Sequence, residues 1–108
     1  MQSTEQKIER AALAGLAAAN MDERERSTDI SLAELAALVE TAGGQPVVTL
    51  LQNKPTPDPR TFLGEGKVAE LRELIVANDC DLAVFDNELS PSQMRVLEEE
   101  LGVRVLDR

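Results

Sequence analysis

Short unbroken apolar runs take turns with helically spaced apolar positions along this chain. Ala11 to Ala18 is the first run. Alanine favours helix, but the shortness of the run and the enclosed Gly15 point to a central strand. Asn20 to Asp29 is dense in charge and reads as a mobile surface loop. Ser31 and Glu34 then have the Ser-x-x-Glu spacing of a capping box, with Ile30 and Leu35 placed for a hydrophobic staple. Leu32, Leu35, Ala36, Val39 and Ala42 share one face of the helix this opens, and Gly43-Gly44 supply a left-handed stop. Pro46 to Leu51 is an apolar run without alternation, the pattern of a strand in a parallel sheet. Pro55, Pro57 and Pro59 make Gln52 to Arg60 an extended arm or a plain connection.

Gly66 to Ala77 is a second helix, with Val68, Leu71, Leu74 and Ile75 inward and Asn78-Asp79 ending it. Leu82 to Phe85 is a strand. Ser90, Pro91 and Gln93 are the cap, first helical residue and box partner of a third helix, which Gly102 stops. Val103 to Leu106 is the last strand. Strands alternating with helices imply parallel pairing, here βαβαβαβ. The expected fold is α/β, a four-stranded parallel sheet of order 2-1-3-4 flanked by three helices. Residues 1–10 read as a disordered tail and residues 11–108 as one domain. Ligands on such sheets bind beyond the carboxyl ends of the strands, where the strand order reverses.

Composition narrows the chemistry. The 108 residues carry 20 acidic and 11 basic side chains, a formal net charge of -9, so broad nucleic-acid binding is disfavoured. The stretch from Lys54 to Lys67 runs the other way, with Lys54, Arg60 and Lys67 against Asp58 and Glu65. Histidine is absent, which removes the usual base at neutral pH and the commonest metal ligand. The single Cys80 cannot form an internal disulfide, which suits a reducing cytoplasm, and its place before an apolar strand suits a buried thiol. No run approaches the ~20 apolar residues of a membrane span.

Gly64-Glu65-Gly66-Lys67 opens the second helix, where free N–H groups favour an anion. It is not a Walker loop: the Gly-x-x-x-x-Gly-Lys spacing is missing, and Val68 stands where the magnesium-binding hydroxyl belongs. The simpler reading is a tight turn with Lys67 in solvent. Asp86 and Glu88 follow a strand end and are able, as a pair, to share a metal or a proton, although a polar turn and cap explain them more simply. Arg10, Arg24 and Arg26 read as surface charges. The candidate contact residues are Arg60, Gly64, Gly66 and Lys67.

Several segments together resemble the N-terminal domain of the HflX family of ribosome-associated GTPases. They are Ser31-Leu32-x-Glu34-Leu35, Glu40-Thr41-Ala42-Gly43-Gly44, the proline arm and Phe62-Leu63-Gly64-x-Gly66-Lys67-Val68-x-Glu70-Leu71. Phe85-Asp86-Asn87-Glu88-Leu89-Ser90-Pro91-Ser92-Gln93 and Leu101-Gly102-Val103-x-Val105-Leu106-Asp107-Arg108 complete the match. The resemblance implies a larger parent in which a helical hairpin and a GTPase domain follow. GTP and magnesium would belong to that GTPase domain, and this chain would have no cofactor and no GTPase activity of its own. The implied partners are the large ribosomal subunit, both RNA and protein, and the parent's own GTPase domain. The implied role is ribosome binding and splitting in the cytoplasm. The sequence departs from the family at Glu65, where a lysine is common, which weakens a phosphate role for the loop. Two other readings stay open: a small anion- or nucleotide-binding module, and a scaffold that only positions the GTPase domain.

Overall fold

The computed structural model describes residues 8–108. Four strands, β1 (Arg10–Ala18), β2 (Gln45–Lys54), β3 (Leu82–Phe85) and β4 (Arg104–Asp107), alternate with three helices, α1 (Asp29–Thr41), α2 (Glu65–Ala77) and α3 (Pro91–Leu101). All strand pairs are parallel and the order is β2-β1-β3-β4, as the sequence pattern predicts. The expected tail lies largely outside the described residues, and Arg10 already belongs to β1.

Alternation along β1 sets the two layers. Ala12, Ala14, Leu16 and Ala18 point to the face covered by α2 and α3, where Phe85, Leu71, Leu97 and Val105 complete the larger core cluster. Ala11 and Leu13 point to the other face, against Leu32 and Leu35 of α1. Burying one such leucine contributes roughly 1.5–3 kcal/mol. The β1–β2 register shifts between Ala11 and Ala12, a bulge that turns Val47 towards the larger cluster.

Three expectations need correction. First, α1 starts two residues before Ser31. Its N-cap is Thr28, whose hydroxyl accepts from Ser31 N–H (2.9 Å) while Ser31 Oγ accepts from Thr28 N–H (2.7 Å). Ile30 is 76% exposed, so the staple with Leu35 does not form, and Ala42 is exposed too. Second, residues 52–60 are not an extended arm. β2 continues to Lys54, and the chain then folds back on itself. Asp58 and Phe62 bridge antiparallel, and Asp58 Oδ1 accepts from the N–H groups of Arg60 (2.8 Å) and Thr61 (3.0 Å). Third, Arg10 and Arg26 are not free surface charges. Arg10 Nε donates to Asn78 O (2.9 Å) and Arg26 Nε to Ala18 O (3.0 Å), tying chain segments together.

Candidate functional site

Two places draw the chemistry-bearing residues together. The first is the glycine loop. Leu63 N–H donates to Thr61 O (2.7 Å) across Phe62, whose φ is 67°. This three-residue turn is a strained form for a residue with a side chain, and it is held by the burial of Phe62 and by the Asp58 bridge. The turn delivers Gly64 as the N-cap of α2, with ordinary extended backbone (φ -63°) and no side-chain cap. Gly64 N–H donates to Gln52 Oε1 (2.9 Å). A Cβ on Gly64 would stand 3.1 Å from Gln52 Nε2 and 3.5 Å from Lys54 Nζ, so the glycine permits a close approach of β2 side chains. Gly66 faces open space, where a Cβ would meet nothing.

The cations around this loop are partly engaged. Lys67 Nζ pairs with Glu70 (3.1 Å) and Arg60 with Glu100 (3.5 Å), both at exposed positions where such pairs contribute about 0–1 kcal/mol. The structure therefore brings Gly64, Gly66 and Lys67 to one helix start, with Lys54 beside them, while Arg60 reaches towards α3. The residues present do not fit GTP with magnesium: the hydroxyl position is taken by Val68, which is buried in the core. Among the described residues, no group of three or more Asp, Glu, Cys or His side chains is placed to hold a metal.

The second place is the strand-order reversal between β1 and β3. β1 and β2 pair over the whole of β1, whereas β3 pairs only with Ala11–Ala14. The second half of β1 thus lacks a strand on that side, and side chains replace it. Asp86 N–H donates to Ala14 O (2.8 Å). Asn87 Oδ1 accepts from Leu16 N–H (2.8 Å), and its Nδ2 donates to Leu16 O and to Glu25 O (2.9 Å each).

Asp86 is the centre of this clasp. Its side chain is 1% exposed. Oδ2 accepts from Ser27 Oγ and Ser31 Oγ, both at 2.5 Å, and Oδ1 accepts from Arg108 Nε at 2.7 Å. Arg108 Nη2 also donates to Ser31 O (3.1 Å). Asp86 is thus engaged inside the fold by three hydrogen bonds, while Glu88 beside it is exposed. Gly15 is required here by space: a Cβ would stand 2.0 Å from Ser27 Oγ. Above the clasp lies a cleft of about 570 Å³ lined by Asp22, Glu25, Glu88, Arg24 and Arg108 among others. With three exposed carboxylates against two guanidinium groups, the cleft is poorly suited to an anion.

Sequence reasoning placed Asp86 at the right edge but missed Ser27, Ser31 and Arg108 as its partners, and Asn87 as the residue that holds Leu16. The signal available was the buried-strand Gly15, which marks a close approach without saying of what.

Comparison with known proteins gives the family. The family model described as GTP-binding GTPase N-terminal matches residues 29–108. The chain belongs to this family. Its curated relatives are named GTPase HflX. One from Alkalihalophilus pseudofirmus is 45% identical over 78 residues, covering 72% of this chain and 18% of that protein. One from Flavobacterium psychrophilum is 35% identical over 101 residues, covering 94% and 24%. One from Escherichia coli is 38% identical over 77 residues, covering 71% and 18%. The chain therefore spans about a fifth of the length of these relatives and corresponds to their N-terminal part.

Proposed function

We propose that this domain is the ribosome-contacting and regulatory N-terminal part of an HflX-type GTPase, which binds the large ribosomal subunit and splits ribosomes in the cytoplasm. GTP and magnesium are handled by the GTPase domain of the parent, and this domain supplies no reacting group. One observation carries the reading: Lys54, Gly64, Gly66 and Lys67 meet at an uncapped helix start within a net-basic stretch of an acidic chain. Free N–H groups and a positive helix end attract phosphate oxygens. The weak exposed pairs of Lys67 with Glu70 and Arg60 with Glu100 can exchange for phosphates at little cost. No helix among the described residues is long and apolar enough to cross a membrane.

The test is binding of the longer protein to large ribosomal subunits over a salt series, comparing wild type with Lys54→Ala, Arg60→Ala and Lys67→Ala. Each true phosphate contact should lower the slope of log affinity against log salt by about one. Unchanged affinity and slope in all three variants would refute the contact. Calorimetry of the 108-residue chain with GTP and with inorganic phosphate should give no heat, and a saturable signal would favour an anion-binding module instead.

A further inference from the structure

Helix α1 has apolar residues on both its faces. Leu32 and Leu35 lie against the sheet. On the outward side, Ile30, Ala33, Ala37 and Leu38 recur at helical spacing, with Ile30 76% and Leu38 59% exposed. The whole helix carries only Asp29, Glu34 and Glu40 as charges, whereas the outward face of α3 presents Arg95, Glu98 and Glu99. An outward apolar strip on a helix that already packs inward is a surface suited to being covered.

The same side of the sheet continues the strip. Leu106 pairs in register with Val84, which belongs to the α1-side cluster, so Leu106 shares that face and is 42% exposed. Arg108 then ends at α1 itself, hydrogen-bonded to Ser31 O and lining a groove of about 400 Å³ with Glu34, Ala37, Leu38 and Thr41.

We propose that the strip formed by Ile30, Ala37, Leu38 and Leu106 is an intramolecular docking surface, covered in the longer GTPase by the part of that protein that follows Arg108. The inference rests on the reading of this chain as one domain of such a GTPase. Two facts favour this occupant over a separate partner. About four-fifths of each relative lies outside the matched region, so ample chain is available. The clasp on Asp86 fixes Arg108 at the mouth of the groove, so a chain continuing from it starts beside the strip at very high effective concentration.

The experiment uses Leu38→Cys and, on the opposite layer, Val76→Cys, which replaces another large exposed apolar residue. Maleimide labelling is followed in the 108-residue chain and in the longer protein, with the buried Cys80 as the slow internal reference. The expected result is labelling at position 38 about tenfold slower or more in the longer protein, with position 76 unchanged, because a docked surface reacts only after local opening. Equal rates at position 38 in the two proteins would overturn the proposal. Slow, concentration-dependent labelling already in the 108-residue chain would overturn it in favour of a second copy. Hydrogen exchange of α1 in the two unmodified proteins gives the same comparison without a substitution. GTP binding by the longer protein is measured alongside: intact binding with no protection means the docking idea has failed alone, and absent binding means the GTPase reading has failed.

Discussion

Replacing Arg108 with alanine removes the only cation among the described residues that touches the carboxylate of Asp86. Losing one partner of a fully buried ion pair costs about 3–5 kcal/mol, because the remaining charge is left desolvated. Here the loss is smaller on two counts. The Arg108 side chain is 41% exposed, so water can enter the space it leaves. The hydroxyls of Ser27 and Ser31 stay on Oδ2. About 2 kcal/mol is the expected destabilisation, close to the strength of a charge-assisted hydrogen bond. Urea unfolding followed by circular dichroism would show it as a midpoint lowered by about 1 M, given a slope of about 1–3 kcal/mol per M for a chain of this size. Arg108→Lys should fall between, since an ammonium keeps the charge but cannot hold the Asp86 carboxylate and Ser31 O in one rigid fork. The double variant with Asp86→Asn should lose less than the sum of the singles. A midpoint shift under about 0.2 M for Arg108→Ala would mean that solvent serves Asp86 as well as the guanidinium does, and the clasp reasoning would fall.

Gly15→Ala should destabilise by about 2–3 kcal/mol, since its methyl would displace Ser27 from Asp86, whereas Gly66→Ala should stabilise α2 by about 0.5–1 kcal/mol. Thermal melts of the two variants, moving in opposite directions, check both. Asp58 has its carboxyl held below the usual range, chiefly by the backbone N–H of Thr61 and next by that of Arg60. A lowered folded value stabilises the fold above the ordinary carboxylate range and is lost as pH falls through the folded value, so Asp58→Ala should cost about 1 kcal/mol at pH 6 and progressively less below about pH 4. Burial pushes the Cys80 thiol up. That contribution is present below the ordinary thiol value and fades as pH rises through the folded one, so Cys80→Ala should flatten the stability profile above about pH 8.5.

The sequence was most readable where signals are local. Ser90, Pro91 and Gln93 set the start of α3, and both side-chain hydrogen bonds of the box are present. Gly43 and Gly102 take left-handed φ values of 94° and 73° at helix ends, as their positions suggest. The start of α1 was harder because two overlapping boxes compete, Thr28-x-x-Ser31 and Ser31-x-x-Glu34. The choice is supported by Ser31 Oγ donating to Asp86, a contact 55 residues away. The clasp was illegible for the same reason. Ser27, Ser31, Asp86, Asn87 and Arg108 are ordinary turn and terminus residues until the parallel sheet brings them together. At the glycine loop the spacing predicted a helix start correctly, but not the backbone reversal at Phe62 that presents it.

Asn87 carries a consequence for how this rim can vary. By offering one amide to both main-chain groups of Leu16, a single side chain stands in for the strand that β3 does not extend to provide. The seam of the sheet is therefore closed from below, independently of the exposed residues above it. Substitutions at Asp22, Arg24 or Glu88 can recast the charge and shape of the opening without unzipping the layer beneath. One asparagine thus separates what the molecule presents from what keeps it folded.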